Sequence, residues 1–365
     1  MNTGIQTVNW KQLASLAYLN ASIVISWIAY HNYQPKILEK FQVAEWQLFL
    51  LIAQAIILVS IPPLAGYLGD YMIKKNGNRF VVFTTGIGIT AMVFMAVAFS
   101  LKGNPLLSIR YLIPFFMVIW LISMNIFNSP ANSMLELFAP ASQLPFAMSI
   151  LAMTSELTSA LEPIIVNLVD VMGASATFAF GGFLIVSSGY FFLQSTKNIQ
   201  AFKLERAEGG TEEKKNSFGL IIVIGIAVGL LIAVILNLLP SILATKLSTF
   251  NTLVFGGKHF SSFILGIAAI LAVPFSKMAD SLGTQRTLTL GLLVAFASIF
   301  GIYLFMGEWL VIASMTGLAF GFSMCSVSAF PLVLEHLSPK HVTFGTGLFL
   351  GFNELADGLM NIFFS

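Results

Sequence analysis

Long apolar segments separated by short polar ones run through almost the entire chain. Each apolar segment is close to the ~20 residues that an α-helix needs to cross the hydrocarbon of a bilayer. Helices are expected because an open strand in lipid leaves its backbone hydrogen bonds unsatisfied. The eleven predicted segments are approximately residues 11–30, 46–69, 80–101, 110–137, 143–169, 173–194, 217–239, 261–279, 287–306, 309–336 and 342–364. Prolines predict kinks within these segments, at Pro62, Pro63, Pro114, Pro130, Pro163, Pro274 and Pro331.

The composition excludes a water-soluble protein. Of the 365 residues, 57% are hydrophobic and only 9% are charged, whereas soluble domains carry about 25% charged residues. The net charge of +2 resides mainly in loops and gives no indication of a nucleic-acid partner. The single Cys325 excludes an internal disulfide and a cysteine-only metal site, so we expect it to be a small core residue.

One long polar segment divides the chain near its middle. Residues 196–217 contain several lysines and glutamates and a Gly209-Gly210 pair, which is typical of a solvated linker. We interpret residues 1–195 and 218–365 as two halves joined by this linker, with a short amphipathic helix around 199–207. Lys and Arg are about twice as frequent in the loops on the linker's side as in the other loops. This bias predicts a cytoplasmic N-terminus and linker.

The two halves carry the same polar landmarks in the same order. In each half an acid follows the second segment, a base opens the third, an acid ends the fourth, and an acid lies in the middle of the fifth. The offset between the copies is about 200 residues throughout, and parallel repeats of this kind are typical of secondary transporters. The landmarks are Asp70, Arg79, Glu136 and Glu156 in the first half and Asp280, Arg286, Glu335 and Glu354 in the second.

Two loops carry a resemblance to a known family. Gly66-x-Leu68-Gly69-Asp70 followed by Arg79 resembles the loop between the second and third helices of the major facilitator superfamily. Asp280-x-x-Gly283-x-x-Arg286 resembles the same loop in the second half. The resemblance implies an all-α integral membrane protein with two parallel-repeat halves of six helices each.

The chain departs from the family pattern in two places. Tyr71 stands where the family has a basic residue, and Gly77 follows Asp70 later than expected. The chain also ends at Ser365, after the eleventh segment, whereas the family has twelve helices. Either the sequence is truncated or this member lacks its last helix, and we expect truncation.

The repeated loop residues predict a gate on the cytoplasmic side. Topology brings together Asp70, Arg79 and Glu136, and the second half repeats this cluster with Asp280, Arg286 and Glu335. Opposite charges near helix ends can stabilise one conformation, and the resemblance implies that Asp70 and Asp280 act as latches. Ordinary ion pairing between loops is the alternative.

Four acids in the fifth and eleventh segments are the candidates for proton coupling. They are Glu156, Glu162, Glu354 and Asp357, and neither segment contains Lys or Arg within its apolar part. An ionised side chain at mid-depth costs about 2.5–3.5 kcal/mol on insertion scales, and low-dielectric surroundings favour the neutral acid. A carboxyl group that gains and loses a proton could couple proton movement to transport. A structural interhelical hydrogen bond is the alternative.

Polar residues in the first, fourth and tenth segments are candidates for a substrate cavity, since the family's central cavity is lined by these helices. They are Asn20, Asn125, Asn128, Asn132, Ser133 and Ser326. Packing contacts between helices are the alternative for each of them. For His31, near the outer end of the first segment, we expect a location at the membrane interface.

The sequence therefore predicts a secondary active transporter that works by alternating access, is coupled to protons or another cation, and moves a small neutral or cationic solute. We expect a monomer surrounded by membrane lipid, in an inner or plasma membrane, with no cofactor, no metal and no enzymatic activity. A lipid flippase or a non-transporting sensor of the same fold is the alternative function. A membrane enzyme would need nucleophile or His/Asp motifs, which the sequence does not show.

Overall fold

Every predicted apolar segment forms helix. The computed structural model describes residues 7–102, 110–207, 216–247 and 257–364, and all regular structure within these ranges is helical. The helices are α1 Trp10–Lys40, α2 Gln47–Asn76, α3 Phe80–Leu101, α4 Leu112–Ile126, α5 Asn128–Asn132, α6 Leu144–Ala160, α7 Glu162–Met172, α8 Ala174–Ala207, α9 Phe218–Ala233, α10 Leu239–Lys246, α11 Gly257–Leu282, α12 Thr284–Leu304, α13 Glu308–Glu335 and α14 Val342–Phe364.

Nine helical segments within the described residues are long and apolar enough to cross a membrane. Helices α6 and α7 together form a tenth, bent by 58° at the break between them. Helix α14 falls outside this count, and its polar Asn353, Glu354 and Asp357 lower its hydropathy. The number and composition of these helices indicate an integral membrane protein.

Some helices extend beyond their predicted ends. Helix α1 continues to Lys40 and α2 to Asn76. Helix α8 continues to Ala207, so it includes the helix predicted around 199–207 and runs into the predicted linker. The Gly209-Gly210 pair lies outside the described residues. We call the side of the molecule where α2 and α8 end the linker side, and the other end the opposite side.

Three interruptions shape the helices that surround the centre. The kink predicted at Pro163 is confirmed, since α6 ends at Ala160 and α7 begins immediately before this proline. After α4 the chain continues through α5 into a 3₁₀ turn over Ser133–Leu137. Between α9 and α10, Val234–Leu238 forms a π-helical segment, in which the Ser261 hydroxyl donates a 2.7 Å hydrogen bond to the carbonyl of Ile235.

The two halves meet along two helix pairs, α2 with α14 and α6 with α11. In the first pair the backbones touch. A Cβ atom added to Gly347 would lie 2.2 Å from the Pro62 carbonyl oxygen, and one added to Gly351 would lie 2.6 Å from that of Val59. Near the linker side, a Cβ on Gly66 would meet the Thr343 carbonyl oxygen at 2.3 Å. Small residues thus allow α2 and α14 to pack at backbone distance along most of their length.

Candidate functional site

Asp70 joins the two halves at the linker side. Its carboxylate accepts hydrogen bonds from the backbone N–H groups of Thr343 at 3.1 Å and Phe344 at 2.8 Å. Both N–H groups lie in the first turn of α14, where a helix has no internal acceptors for them. The positive end of the helix dipole also favours a carboxylate here. An acid at the end of α2 therefore caps a helix of the other half.

Arg79 extends this contact into the interior. Its side chain is buried, and Nη1 donates hydrogen bonds to the Ser133 hydroxyl and, at 3.1 Å, to the Thr343 hydroxyl. Asp70 and Glu136 are both close enough to attract the guanidinium group. The predicted grouping of Asp70, Arg79 and Glu136 is therefore present. We call Asp70, Arg79, Ser133 and Thr343 the interlock.

Ser133 occupies a different place from the one expected for a cavity residue. It is fully buried, receives the hydrogen bond from Arg79, and itself donates to the Pro130 carbonyl at 3.1 Å. Thr343 is also fully buried and was not among the predicted residues. Its position at the start of a helix, after the Ser338-Pro339 turn, is the sequence signal that could have identified it.

The second copy of the loop has different surroundings. Asp280 and Arg286 are exposed at the linker side, and Glu335 accepts a 3.0 Å hydrogen bond from the Thr284 hydroxyl. The repeat in sequence therefore does not produce a second buried interlock among the described residues. The expected equivalence of Asp70 and Asp280 does not hold for their burial.

The Arg79–Thr343 bond can be tested with a matched pair of variants. Thr343→Val keeps the side-chain shape but leaves a buried guanidinium short of one acceptor, so we expect a loss of about 1–3 kcal/mol of stability. Thr346→Val changes a hydroxyl that is equally buried but has no hydrogen-bond partner, so we expect no loss or a small gain. Melting temperatures of the purified variants decide between these outcomes. Equal melting temperatures would contradict a structural role for the bond.

Three amide side chains meet beyond the interlock. Asn20 donates to the Asn132 side-chain oxygen at 3.2 Å, and Asn132 donates to that of Asn128 at 2.6 Å. We call Asn20, Asn128 and Asn132 the amide cluster. Asn125, also predicted to line the cavity, is buried and donates to the Leu121 carbonyl of its own helix at 2.8 Å. The amide cluster therefore unites three of the predicted cavity residues.

Glu156 is buried between the two halves. Its side chain is 7% exposed, and one of its carboxyl oxygens has no hydrogen-bond partner. The hydroxyl of Ser326, on α13 of the second half, lies beside this carboxyl group. Glu162 lies beyond the break between α6 and α7 and is half-buried. The structure therefore brings Glu156 and Ser326 together and places Glu162 on the next helix.

Glu354 and Asp357 share one face of α14 and are half-buried. They are close enough for mutual electrostatic repulsion. Asn237, in the π-helical segment, donates a 2.7 Å hydrogen bond to Asp357. Both Glu156 and Glu354 lie about 18 Å from the start of their helices, at 1.5 Å per residue. Acids of the two halves thus lie at matching positions along their helices.

His31 lies close to Asp357 of α14, which the sequence did not reveal. The ring is exposed yet close enough to Asp357 to interact electrostatically. Asn20, Val24, Trp27 and His31 recur at helical spacing and are all at least partly exposed. Asn20, at one end of this row, belongs to the amide cluster, and His31, at the other end, lies close to Asp357. The row therefore faces the centre of the molecule. We call the space between this row and the α14 acids the cleft.

A cavity of about 550 Å³ lies apart from these residues. It is at the opposite side, between the ends of α1 and α3 and the start of α8, with Lys40 and Lys102 at its rim. None of the acids described above lines it. The candidate functional site is therefore the cleft together with Glu156, Ser326 and the interlock.

Comparison with known proteins identifies the family of the chain. The family model described as Major Facilitator Superfamily matches residues 13–360. No curated protein sequence matches the chain.

Several solved structures share the fold. The human organic anion transporter MFSD10 (TETRAN) superposes with a TM-score of 0.71 at 10% identity, over 97% of this chain and 92% of that one. A bacterial homologue of the iron transporter ferroportin gives 0.66 at 14% identity, over 96% and 90%. The E. coli fucose:proton symporter FucP gives 0.62 at 13% identity, over 95% and 89%. At such low identity these structures show a common fold and leave the transported solute open.

The family model covers nearly the whole chain, and the structure supplies the apolar helices and the paired halves that the family's fold requires. The predicted resemblance and fold class are confirmed: the protein is an integral membrane protein and belongs to the major facilitator superfamily.

Proposed function

We propose that this protein is a proton-coupled secondary active transporter that moves a small neutral or cationic solute by alternating access. The proposal rests on the surroundings of the Glu156 carboxyl group. It is buried between the halves, has an oxygen without a hydrogen-bond partner, and lies beside Ser326 of the other half. Such a group is costly to ionise without a cation, and its segment supplies none.

Protonation of Glu156 would alter the contact between the halves. A neutral carboxyl group can remain buried against α13, whereas the ionised form requires water or a cation. Deprotonation would therefore favour a conformation in which the space between α6 and α13 opens. This provides a physical link between proton release and the rocking of the two halves.

The interlock is proposed to close one side of the transporter. Asp70 and Arg79 hold α14 against α2 at the linker side, while His31 at the other end of the cleft is exposed. The distribution of basic residues supports a cytoplasmic linker side, in an inner or plasma membrane. The conformation described would then be closed towards the cytoplasm. We propose that the protein acts as a monomer in membrane lipid, without a cofactor.

The lining of the cleft supports the class of solute. The amide cluster offers hydrogen bonds to a neutral polar molecule. Glu354 and Asp357 lie close together, and the apolar part of their segment contains no Lys or Arg, which disfavours a bare anion. The proposal therefore covers neutral and cationic solutes, with protons as the coupling ion.

Replacing Glu156 by glutamine tests the coupling. Solutes that raise the melting temperature of the purified protein are the candidates for transport, because ligands that bind the folded state stabilise it. In proteoliposomes with an imposed pH gradient, we expect the wild type to accumulate this solute. Glu156→Gln should retain exchange of solute across the membrane but lose accumulation. Glu39→Gln, at an exposed position near the end of α1, is the matched control and should accumulate normally. Full accumulation by Glu156→Gln would overturn the assignment.

A further inference from the structure

We propose that the cleft is a binding site for an organic cation, with the positive group at Glu354 and Asp357 and the apolar part of the molecule against Trp27. This inference rests on the proposed transport function and names the solute class for the same site. Two walls of different chemistry support it, one on α14 and one on α1.

The α14 wall is acidic and oriented. Glu354 and Asp357 are both half-buried on the face that looks towards His31. The 2.7 Å hydrogen bond from Asn237 fixes one oxygen of Asp357. Because Asn237 lies in a π-helical segment, its amide projects from an interrupted helix, a feature often found at functional sites. Two carboxyl groups close together favour a positive ligand between or beside them.

The α1 wall is aromatic and firmly supported. Trp27 is partly exposed, and its ring packs edge-on against Trp120 at 4.9 Å between centroids. Behind it, Tyr30 stacks on Trp120 at 4.4 Å, and both of these side chains are buried. The indole of Trp27 is therefore held in place. Indole is the side chain whose face attracts cations most strongly, and Val24 one turn away adds apolar surface.

The chemistry of the walls distinguishes an organic cation from a metal ion. The described residues contain no group of three or more His, Cys, Asp or Glu side chains that could hold a metal. A ring of oxygen and nitrogen ligands is what a bare divalent ion needs. An indole that contacts His31, which in turn lies close to Asp357, instead suits an alkyl- or aryl-substituted ammonium or phosphonium ion.

The charges around the cleft set the expected pH dependence. The titratable groups that face it are Glu354 and Asp357 on α14 and His31 on α1, with the Tyr30 hydroxyl behind the Trp27 ring. Two neighbouring carboxyl groups favour taking up a proton on one of them as the pH is lowered from about 8 to about 6. A protonated acid no longer attracts a cation, so we expect binding to weaken as the pH falls.

The test is equilibrium binding to the purified protein in nanodiscs, with empty nanodiscs as the baseline. The probes are benzyltrimethylammonium and tetraphenylphosphonium, with benzyl alcohol as a neutral and benzoate as an anionic comparison. We expect saturable binding of both cations, weaker binding near pH 6, and no saturable binding of the other two probes. Asp357→Asn and Glu354→Gln should each weaken cation binding by about tenfold or more, and Trp27→Leu by roughly tenfold. Glu39→Gln should bind like the wild type.

The cation site and the proposed function can fail independently of each other. Absence of saturable cation binding, or unchanged affinity in Asp357→Asn and Glu354→Gln variants that keep the wild-type melting temperature, would overturn the cation site. Proton-driven accumulation of a neutral solute that depends on Glu156 would leave the proposed function standing in that case. Conversely, cation binding and exchange without any proton dependence would support the cation site and overturn the proton coupling.

Discussion

Replacing Gly347 by alanine is expected to force α14 away from α2 and to destabilise the protein by about 3 kcal/mol, at the upper end of overpacking effects. The added Cβ atom would lie 2.2 Å from the Pro62 carbonyl oxygen and 2.6 Å from the carbonyl carbon, so a backbone must move. No rotamer change can relieve a clash between two backbones. The adjacent close approach at Gly351 and Val59 would be lost with it.

Gly88→Ala is the matched control for this prediction. Gly88 is also a helical glycine, in α3, but it is exposed and a Cβ atom there would meet nothing within 4 Å. Alanine is favoured over glycine in a helix by about 1 kcal/mol, so this variant should be as stable as the wild type or slightly more stable. Melting temperatures in the same detergent compare the two. If Gly347→Ala and Gly88→Ala have the same melting temperature, α2 and α14 do not pack as closely as described.

Replacing Asp70 by alanine is expected to open the linker side and to slow transport. The change removes both hydrogen bonds to the first turn of α14. Hydrogen bonds to a charged group contribute about 1.5–3 kcal/mol each. A loss of about 3 kcal/mol would shift the balance between closed and open linker side by roughly 100-fold. Because transport requires both conformations in turn, we expect the solute flux to fall by at least tenfold.

Asp280→Ala is the internal comparison, because Asp280 occupies the corresponding loop of the second half but is exposed. We expect the Asp280→Ala variant to show nearly the solute flux of the wild type. The opening can be measured as a distance between spin labels at Lys75→Cys and Gln285→Cys, both at exposed linker-side positions. Cys325 is the chain's only cysteine and is buried, so background labelling should be low. Longer and broader distances in Asp70→Ala, but not in Asp280→Ala, are expected. Identical distances in both would rule out the interlock as a gate.

Some features of individual residues could be predicted from the sequence. The matching positions of Glu156 and Glu354 within their helices followed from the repeat, because each lies the same number of residues after the start of its helix. The kink before Pro163 also followed from sequence, because a proline removes a backbone donor wherever the helix lies. By contrast, Pro62 and Pro63 lie within one continuous helix, where α14 and the Ser129 hydroxyl pack against the proline carbonyl.

Other side chains lie where sequence reasoning could not place them. Ser133 lies in the same apolar segment as Asn128 and Asn132 of the amide cluster, yet Ser133 turns to Arg79 because the chain tightens from α5 into a 3₁₀ turn. Such a turn has three residues instead of 3.6 and so changes which way each side chain points. His31 was expected at the membrane interface, and its approach to Asp357 depends on how α1 lies relative to α14 in the other half.

The sequence alone was enough to establish the membrane class, the helices, the repeat and the matching positions of Glu156 and Glu354 along their helices. These follow from local quantities, namely the length of apolar runs, the need to satisfy backbone hydrogen bonds in lipid, and the spacing of the repeat. The tertiary structure was needed to show that Asp70 caps α14 while Asp280 is exposed, that Glu156 meets Ser326, and that His31 lies close to Asp357. Those contacts join residues far apart in the chain. They depend on how the two halves pack against each other, and the sequence pattern of either half alone does not show this.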